Sequence, residues 1–172
     1  LETKSESILV DCGLFQGCDE CTDLNFEDFK FDPRSVKALL VTHAHIDHIG
    51  RIPKFVRAGF KGKIYSTAPT RDLARILLED ALSLTKREHK ELYEKEDLEK
   101  TFGQWGVVSY GEKFSIGEID MVFRNAGHIL GSAFLELWAE GKHILFTGDL
   151  GNVPSVLLSP PEILRDIEYL II

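Results

Sequence analysis

The amino-acid sequence predicts a layered α/β domain, and three observations lead to that prediction. The first half alternates short apolar runs, typical of buried strands, with segments of helical periodicity. From about residue 107 the pattern changes to period-2 alternation separated by glycines, which favours an antiparallel meander. The chain has 172 residues, enough to bury one sizeable hydrophobic core, so a single domain is expected.

The first half contains three predicted strands and two predicted helices. The strands are residues 7–12 (SILVDC), 36–42 (VKALLVT) and 63–66 (KIYS), which are short and apolar. Residues 52–59 (IPKFVRAG) predict a short helix, because proline suits the first turn and glycine a C-terminal stop. A long helix is predicted over residues 70–100 from apolar residues at spacings of three or four. These residues are Leu73, Ile76, Leu77, Ala81 and Leu84.

The second half is predicted to consist of strands. Four of them, residues 107–110, 118–126, 132–140 and 142–149, are joined by short turns and would form the meander. Residues 166–172 (DIEYLII) predict a further buried strand. Because the sequence stops inside that strand, we expect it to be a piece of a longer protein.

Composition and charge exclude several classes of protein. The net charge of −8 argues against broad, nonspecific binding of nucleic acid. Apolar runs are too short for a transmembrane span, and no signal-peptide pattern is present, so a cytoplasmic protein without membrane contact is expected. The three cysteines, Cys12, Cys18 and Cys21, are an odd number, which favours reduced thiols over a disulfide framework.

The segment THAHIDH, which follows the second predicted strand, carries four side chains that can bind a metal ion. His43 and His45 are two residues apart and would project to the same side, while Asp47 and His48 lie on the following turn. Imidazole and carboxylate ligands together suit zinc, and less often manganese or iron. A histidine-rich surface loop is the alternative interpretation, but four ligand-type residues at this spacing favour a metal site.

Three further ligand-type residues also follow predicted strands. His128 lies in NAGHILGSAF, Asp149 lies in LFTGDLGN, and Asp11 lies in VDCGLFQG. Each has a plain alternative as a loop or turn residue, but all three share the strand-end context of the THAHIDH segment. The neighbouring glycines would let the backbone approach the site closely. Asp11 is a candidate for orienting a ligand histidine through a hydrogen bond.

These motifs together resemble the metallo-β-lactamase fold. The flanking residues in DCGLFQG, THAHIDHIGRIPK, AGHILGSA and TGDLGN resemble the β-CASP branch, which consists of nucleic-acid-processing nucleases. The resemblance covers essentially the whole chain. It implies a four-layer αββα sandwich that is only partial here, with residues 1–172 as the N-terminal part of a metallo-β-lactamase domain. A β-CASP domain, and the returning half of the first domain, would follow residue 172.

The resemblance also implies a site that holds two zinc ions, with manganese as the alternative metal. Asp47 would additionally orient the attacking hydroxide that the ions generate near neutral pH, and Asp11 would be a buried orienting residue. His43, His45 and His128 would bind one ion. Asp47 and His48 would bind the other ion, and Asp149 would bridge the two.

The implied function is hydrolysis of single-stranded RNA by a zinc-dependent ribonuclease, with the 172-residue piece alone nearly inactive. Arg51, Lys54 and Arg57 lie in a basic segment that would steer the phosphate backbone, although a solvated helix face explains them equally well. Three alternatives remain open: a DNA-directed β-CASP nuclease, another hydrolase of the same fold, and a non-catalytic scaffold subunit. Relatives of this kind often form homodimers, so a homodimer is the oligomer that the resemblance suggests.

Overall fold

Two β-sheets and a set of helices form the structure, which is a computed structural model describing residues 1–17, 21–88, 91–151 and 155–172. Cys18 lies outside the described residues, as does the side chain of Cys21, so the prediction of reduced thiols can be followed only at Cys12. Cys12 is a free, buried cysteine. Among the described residues, no helix is both long and apolar enough to cross a lipid bilayer.

The first sheet is parallel and contains four strands in the order β1-β2-β3-β4. The strands are β1 (Ile8–Val10), β2 (Ala38–Leu40), β3 (Lys63–Ser66) and β4 (Trp105–Val107). Three of them were predicted from apolar runs: the prediction for β3 has the observed bounds, whereas the predictions 7–12 and 36–42 extend beyond β1 and β2 at both ends. The fourth differs from the prediction, because the strand near residue 107 pairs in parallel with β3 and does not join the meander.

The second sheet contains the predicted antiparallel meander. Its strands are β5 (Lys113–Ile116), β6 (Ile119–Asn125), β7 (Ala133–Ala139), β8 (Lys142–Phe146) and β9 (Tyr169–Ile171). Strands β5 to β8 pair antiparallel in sequence order, and β9 pairs in parallel with β8. The meander is therefore confirmed, with β5 as a strand that the apolar pattern did not predict.

The helices are α1 (Cys21–Leu24), α2 (Ile46–Ile49), α3 (Ile52–Arg57), α4 (Ala68–Glu88) and α5 (Lys95–Gln104), with a 3-10 turn at Pro33–Ser35. The predicted short helix at residues 52–59 is confirmed as α3, with Pro53 in its first turn. The predicted single helix over residues 70–100 is wrong, because residues 91–94 are not helical.

Tyr93 explains why the long helix divides. Its side chain is buried, and its hydroxyl donates to the carbonyl of Leu78 at 2.9 Å, which turns the chain back onto α4. A capping box then starts α5, in which the carboxylate of Asp97 accepts from the backbone N–H of Glu94 at 3.0 Å. Buried contacts and a cap override the continuous helical periodicity.

Helix α4 also presents a different side to the core than its spacing suggested. Ile76 and Leu84 are exposed by 63% and 52%. The buried stripe consists instead of Ala74, Leu78 and Leu82. The rotation of a helix about its axis is set by what it packs against, and here α4 packs against α5 and β4.

The core has two main parts that follow the alternation of β2. Leu39 points into the layer between the first sheet and the helices, with Phe55 and Leu78. Ala38 and Leu40 point into the layer between the sheets. Among the described residues every helix precedes β4, and the outer face of the second sheet is covered by the chain around Leu164 and Ile167. The structure therefore has three layers, helices, sheet and sheet, of the four that the resemblance implied.

Candidate metal centre

The THAHIDH segment leaves β2 at the edge where the strands of the first sheet end. The backbone N–H of Asp11, which follows β1, donates to the carbonyl of Leu40 at 2.9 Å. The chain then runs extended as far as His45, which is the N-cap residue of the one-turn helix α2. Asp47 and His48 lie on that helix, so the predicted turn is a single helical turn.

Four predicted ligands converge at this edge, and we call them the first ligand group: His43, His45, His128 and Asp149. One nitrogen or oxygen atom from each lies within 4.8 Å of the others. His45 Nδ1 is 3.0 Å from His43 Nε2 and 3.2 Å from His128 Nε2. The Asp149 Oδ2 atom is 3.4 Å from His128 Nε2 and 3.8 Å from His43 Nε2. These residues come from the segment after β2, from the loop after β6 and from the loop after β8.

The remaining two predicted ligands, Asp47 and His48, lie close to Asp149, and together with it we call them the second ligand group. His48 Nε2 is 3.4 Å from Asp149 Oδ1 and 3.9 Å from Asp47 Oδ2. The Asp47 side chain is 48% exposed, compared with 1% for His43. Asp149 thus has one carboxylate oxygen towards each group.

Asp11 and Thr42 orient the histidines of both groups. One carboxylate oxygen of Asp11 accepts from His48 Nδ1 at 2.8 Å, which leaves His48 Nε2 facing the ligand group. The Thr42 hydroxyl donates to the same oxygen at 2.7 Å. Because the Thr42 hydroxyl proton is already donated to Asp11, the hydroxyl oxygen can only accept from His43 Nδ1, which is 3.0 Å away. The proton of His43 is therefore on Nδ1, and Nε2 keeps a free lone pair.

The loop that carries His128 is held by hydroxyl groups. The Ser132 hydroxyl accepts from the backbone N–H of His128 at 3.0 Å, and the hydroxyls of Thr67 and Thr70 donate to the carbonyl of Gly131. The N–H of Ala133 donates to the carbonyl of Thr42 at 2.8 Å and so joins the two sheets beside the site. Sequence reasoning missed Thr42 and Ser132; the only signal was a hydroxyl residue adjacent to each ligand motif.

Two glycines allow the backbone of neighbouring segments to approach closely, as the glycine-flanked motifs predicted. A Cβ atom on Gly13 would lie 1.5 Å from the carbonyl oxygen of Asp47. A Cβ atom on Gly151 would lie 1.8 Å from the carbonyl oxygen of Gly127, next to His128. Gly13 therefore supports the second ligand group, and Gly151 supports the first.

The histidines differ in their protonation. Burial, followed by charge repulsion from the neighbouring imidazoles, lowers the pKa of His43 to about 3. Burial also lowers the pKa of His128. For His48, burial lowers the pKa, but the hydrogen bond to Asp11 and the negative charge of that carboxylate outweigh burial and raise it. His43 and His128 are therefore neutral at neutral pH, as metal ligands must be.

The three residues predicted to contact RNA have different surroundings. The Arg51 Nε donates to the carbonyl of Gly13 at 2.7 Å, so its side chain lies beside the loop that follows Asp11. The Lys54 ammonium donates to backbone carbonyls of Asn25 and Glu27. Arg57 is half exposed, with its Nε 4.0 Å from a carboxylate oxygen on helix α5.

The donor set fits a divalent transition metal. Three imidazole nitrogens and one carboxylate oxygen are the ligands typical of zinc, and their spacing requires only small movements around a central ion. Residues 1–168 match the metallo-beta-lactamase superfamily. The chain belongs to this superfamily.

The most similar curated proteins that we compared are longer members of this superfamily. A ribonuclease of Thermus thermophilus is 41% identical over 91% of this chain and 35% of its own length. The RNase J-like protein of Methanocaldococcus jannaschii is 40% identical over 100% of this chain and 38% of its own length. Transcription termination factor FttA of the same organism is 37% identical over 93% and 26%. The chain thus spans about a quarter to two fifths of these relatives, and the predicted family is confirmed.

Solved structures show the same fold at low sequence identity. Zinc-bound PqqB from Methylobacterium extorquens superimposes with a TM-score of 0.56 and 11% identity, covering 87% of this chain and 51% of that chain. The metallo-beta-lactamase fold protein YhfI from Bacillus subtilis superimposes with a TM-score of 0.52 and 17% identity, over 86% and 52%. The predicted metallo-β-lactamase fold is therefore confirmed.

Proposed function

We propose that this chain is part of a longer protein, and that the longer protein is a metal-dependent ribonuclease of the β-CASP branch that binds two zinc ions. The observation that carries the proposal is the convergence of three histidines and one aspartate, His43, His45, His128 and Asp149, within 4.8 Å. Two of the compared relatives are named ribonucleases, which supports RNA as the substrate. Residues 1–172 would be the N-terminal part of the metallo-β-lactamase domain, with a β-CASP domain after it.

Each residue of the centre has a proposed role. The first ligand group would hold one ion and the second ligand group the other, with Asp149 shared between them. When bound, the ions would make hydroxide available near neutral pH and stabilise negative charge on a phosphodiester. Asp47 would accept a hydrogen bond from the attacking oxygen and orient it, while Asp11 would fix the ring of His48. Arg51 would attract the phosphate backbone.

The substrate would be single-stranded RNA. The protein would act in the cytoplasm as a homodimer. An unpaired strand would let the scissile phosphate reach the ligand groups without the steric hindrance of a second strand. The Asp47 side chain is 48% exposed and is therefore accessible to such a strand. The 172-residue piece alone would be nearly inactive, because the part proposed to follow it would supply a further ligand of the second ion and the general acid.

The test is cleavage of end-labelled single-stranded RNA and DNA of the same sequence by the full-length protein. We expect RNA cleavage that a chelator abolishes and that added zinc or manganese restores. Asp47→Ala should lower the rate by at least about 100-fold, in line with the contribution of a positioned acid–base group. Asp72→Ala, which removes an exposed carboxylate on α4, is the matched control and should cleave like the parent.

Each alternative predicts a different result. Preferential cleavage of DNA would favour a DNA-directed β-CASP nuclease. Metal binding without cleavage of either strand would favour a hydrolase of another substrate or a scaffold subunit. Chelator-insensitive cleavage, or full activity of Asp47→Ala, would contradict the proposed mechanism.

A further inference from the structure

A pocket beside the loop that follows Asp11 is lined by aromatic and charged side chains, which include Glu27, Asp28 and Lys30 as well as three phenylalanines. It has a volume of about 370 Å³, and its lining includes Phe15, Phe29, Phe31 and Arg51. Clefts that bind small ligands usually have volumes of about 300 to 1,000 Å³. The pocket is therefore large enough for a flat heterocyclic group and small for a folded protein element.

Phe15 is exposed although its backbone is held firmly. Phe15 is 45% exposed, in a loop where a polar residue would be expected. The amide of Asn25, itself only 6% exposed, accepts from the N–H of Phe15 at 2.8 Å and donates to its carbonyl at 3.0 Å. Lys54 in turn donates to the carbonyl of Asn25. An aromatic ring is thus presented to solvent on a rigid backbone, which lowers the entropic cost of binding a ligand.

Arg51 lies next to this ring and retains unused donors. Its guanidinium carbon is 4.2 Å from the ring centroid of Phe15 and 5.4 Å from that of Phe29. The Nε atom is bound to the carbonyl of Gly13. Among the described residues, the other two guanidinium nitrogens have no hydrogen-bond or ion-pair partner. A cation fixed against an aromatic face is suited to a ligand that combines an aromatic ring with an anionic group.

The pocket adjoins the candidate metal centre. Phe15 is four positions after Asp11 in the sequence, so their Cα atoms are at most about 14 Å apart. Gly13, which lies between them, approaches the backbone of Asp47, and the N–H of Cys12 donates to the carbonyl of His48 at 2.8 Å. A strand bound at the centre could therefore place a neighbouring nucleotide at Phe15.

We propose that Phe15 and Arg51 form a subsite for one unpaired nucleobase of the RNA strand and its phosphate. The base would stack on the Phe15 ring, and the free guanidinium nitrogens of Arg51 would donate to the phosphate. An apolar peptide would leave these donors unused, which favours a nucleotide as the occupant. The inference rests on the proposed function, because it takes the substrate at the metal centre to be single-stranded RNA.

The experiment measures binding of the full-length protein to short labelled single-stranded RNA by fluorescence anisotropy, in chelator so that no strand is cut. A series of strands carries one abasic nucleotide, moved along the sequence. Phe15→Ala should weaken binding to the intact strand by about 10-fold, within the range observed for stacking of one base. Phe15→Trp should bind like the parent. One abasic position should weaken binding to the parent similarly, and Phe15→Ala should cause no further loss on that strand.

Phe26→Ala is the matched control, because Phe26 is 44% exposed and lies outside the pocket lining. It should bind every strand like the parent. The subsite is refuted if the parent does not bind intact RNA, if Phe15→Ala binds as tightly as the parent, or if its loss is the same on every abasic strand. A Phe15→Ala protein that binds RNA normally but changes its oligomeric state would show that the pocket is a protein contact.

The cleavage assay separates this inference from the proposed function. Metal-dependent cleavage of RNA by the parent, together with unchanged binding by Phe15→Ala, would refute the subsite alone. A parent that binds base-containing strands through Phe15 but cleaves no RNA would refute the nuclease and retain the subsite.

Discussion

The two ligand groups of the candidate metal centre differ in how completely the described residues surround them. The first group has four donors from three separate loops, all within 4.8 Å of one another, and the side chain of His43 is buried. The second has Asp47 and His48 on one short helix and shares Asp149 with the first. In the proposed two-zinc centre, four protein ligands would close the first site, whereas the second would have room for water, substrate or a further ligand.

The difference follows from where the residues come from. Loops from both sheets converge on the first group, so the packing of the whole domain holds it. The second group depends on helix α2, a single turn that is fixed by contacts with Gly13 and Asp11. We therefore expect tighter metal binding at the first group and catalytic access at the second.

The largest expected effect comes from removing one ligand of each group. His45→Ala should lower metal affinity at the first group by more than about 100-fold, beyond the loss of 10- to 100-fold typical of outer hydrogen-bond partners. Asp47→Ala should leave the ion at the first group bound and should lower metal affinity only at the second group. Metal content per protein after dialysis measures both. If Asp47→Ala lost both ions while His45→Ala kept them, the ranking of the two groups would be reversed.

The next effect separates the backbone supports of the two groups. Gly13→Ala should destabilise the protein by about 3 kcal/mol, at the upper end of overpacking costs, and should reduce metal binding at the second group. Gly151→Ala should have a similar cost but affect the first group. Gly103→Ala is the control, because a Cβ there meets nothing within 4 Å in helix α5, and it should stabilise by about 0.5–1 kcal/mol. Urea unfolding measures each change, and equal stability of all three variants would contradict the close contacts.

Asp11→Asn should weaken metal binding at the second group by about 10- to 100-fold, because the variant loses the negative charge that orients His48. Asparagine tolerates the left-handed backbone of residue 11, where φ is 56°, so the backbone should be retained. Asp11→Ala should be less stable than Asp11→Asn, because alanine at this φ is strained. Competition with a coloured chelator measures the affinities, and Asp72→Asn on the surface should match the parent. Unchanged affinity in Asp11→Asn would contradict the orienting role.

The smallest effect is a difference in how the two groups respond to acid. The pKa of His43 is lowered to about 3, so protons do not compete with metal for the ring of His43 at mildly acidic pH. The pKa of His48 is raised above its usual value, so a proton must leave before the ring can bind metal. As pH falls from 8 to 5, we expect the second ion to dissociate first, with affinity falling by at most about tenfold per pH unit for each proton taken up. Metal content measured at each pH checks this, and loss of both ions in one step would contradict it.

Local patterns in the sequence predicted a large part of this structure. Apolar runs located β1, β2 and β3, period-2 alternation located the meander, and Pro53 marked the start of α3. Ligand chemistry and the position after strands indicated the six residues of the two ligand groups as candidates, and the family resemblance assigned them to two ions. These features are predictable because they depend on neighbours within a few residues.

Other features were decided only by contacts between distant segments. The pairing of Trp105–Val107 with β3, the burial of Tyr93 against Leu78 and the exposure of Ile76 depend on packing that periodicity does not encode. The same holds for the clamp of Asn25 on Phe15.

The sequence alone determined which side chains can bind a metal ion and that they follow strands. The tertiary structure decided that His128 Nε2 lies 3.2 Å from His45 Nδ1 and that Asp149 faces both ligand groups. The reason is physical. Ligand chemistry belongs to each residue, whereas the distance between residues 45 and 128 is set by strand pairing and by the packing of one sheet on the other.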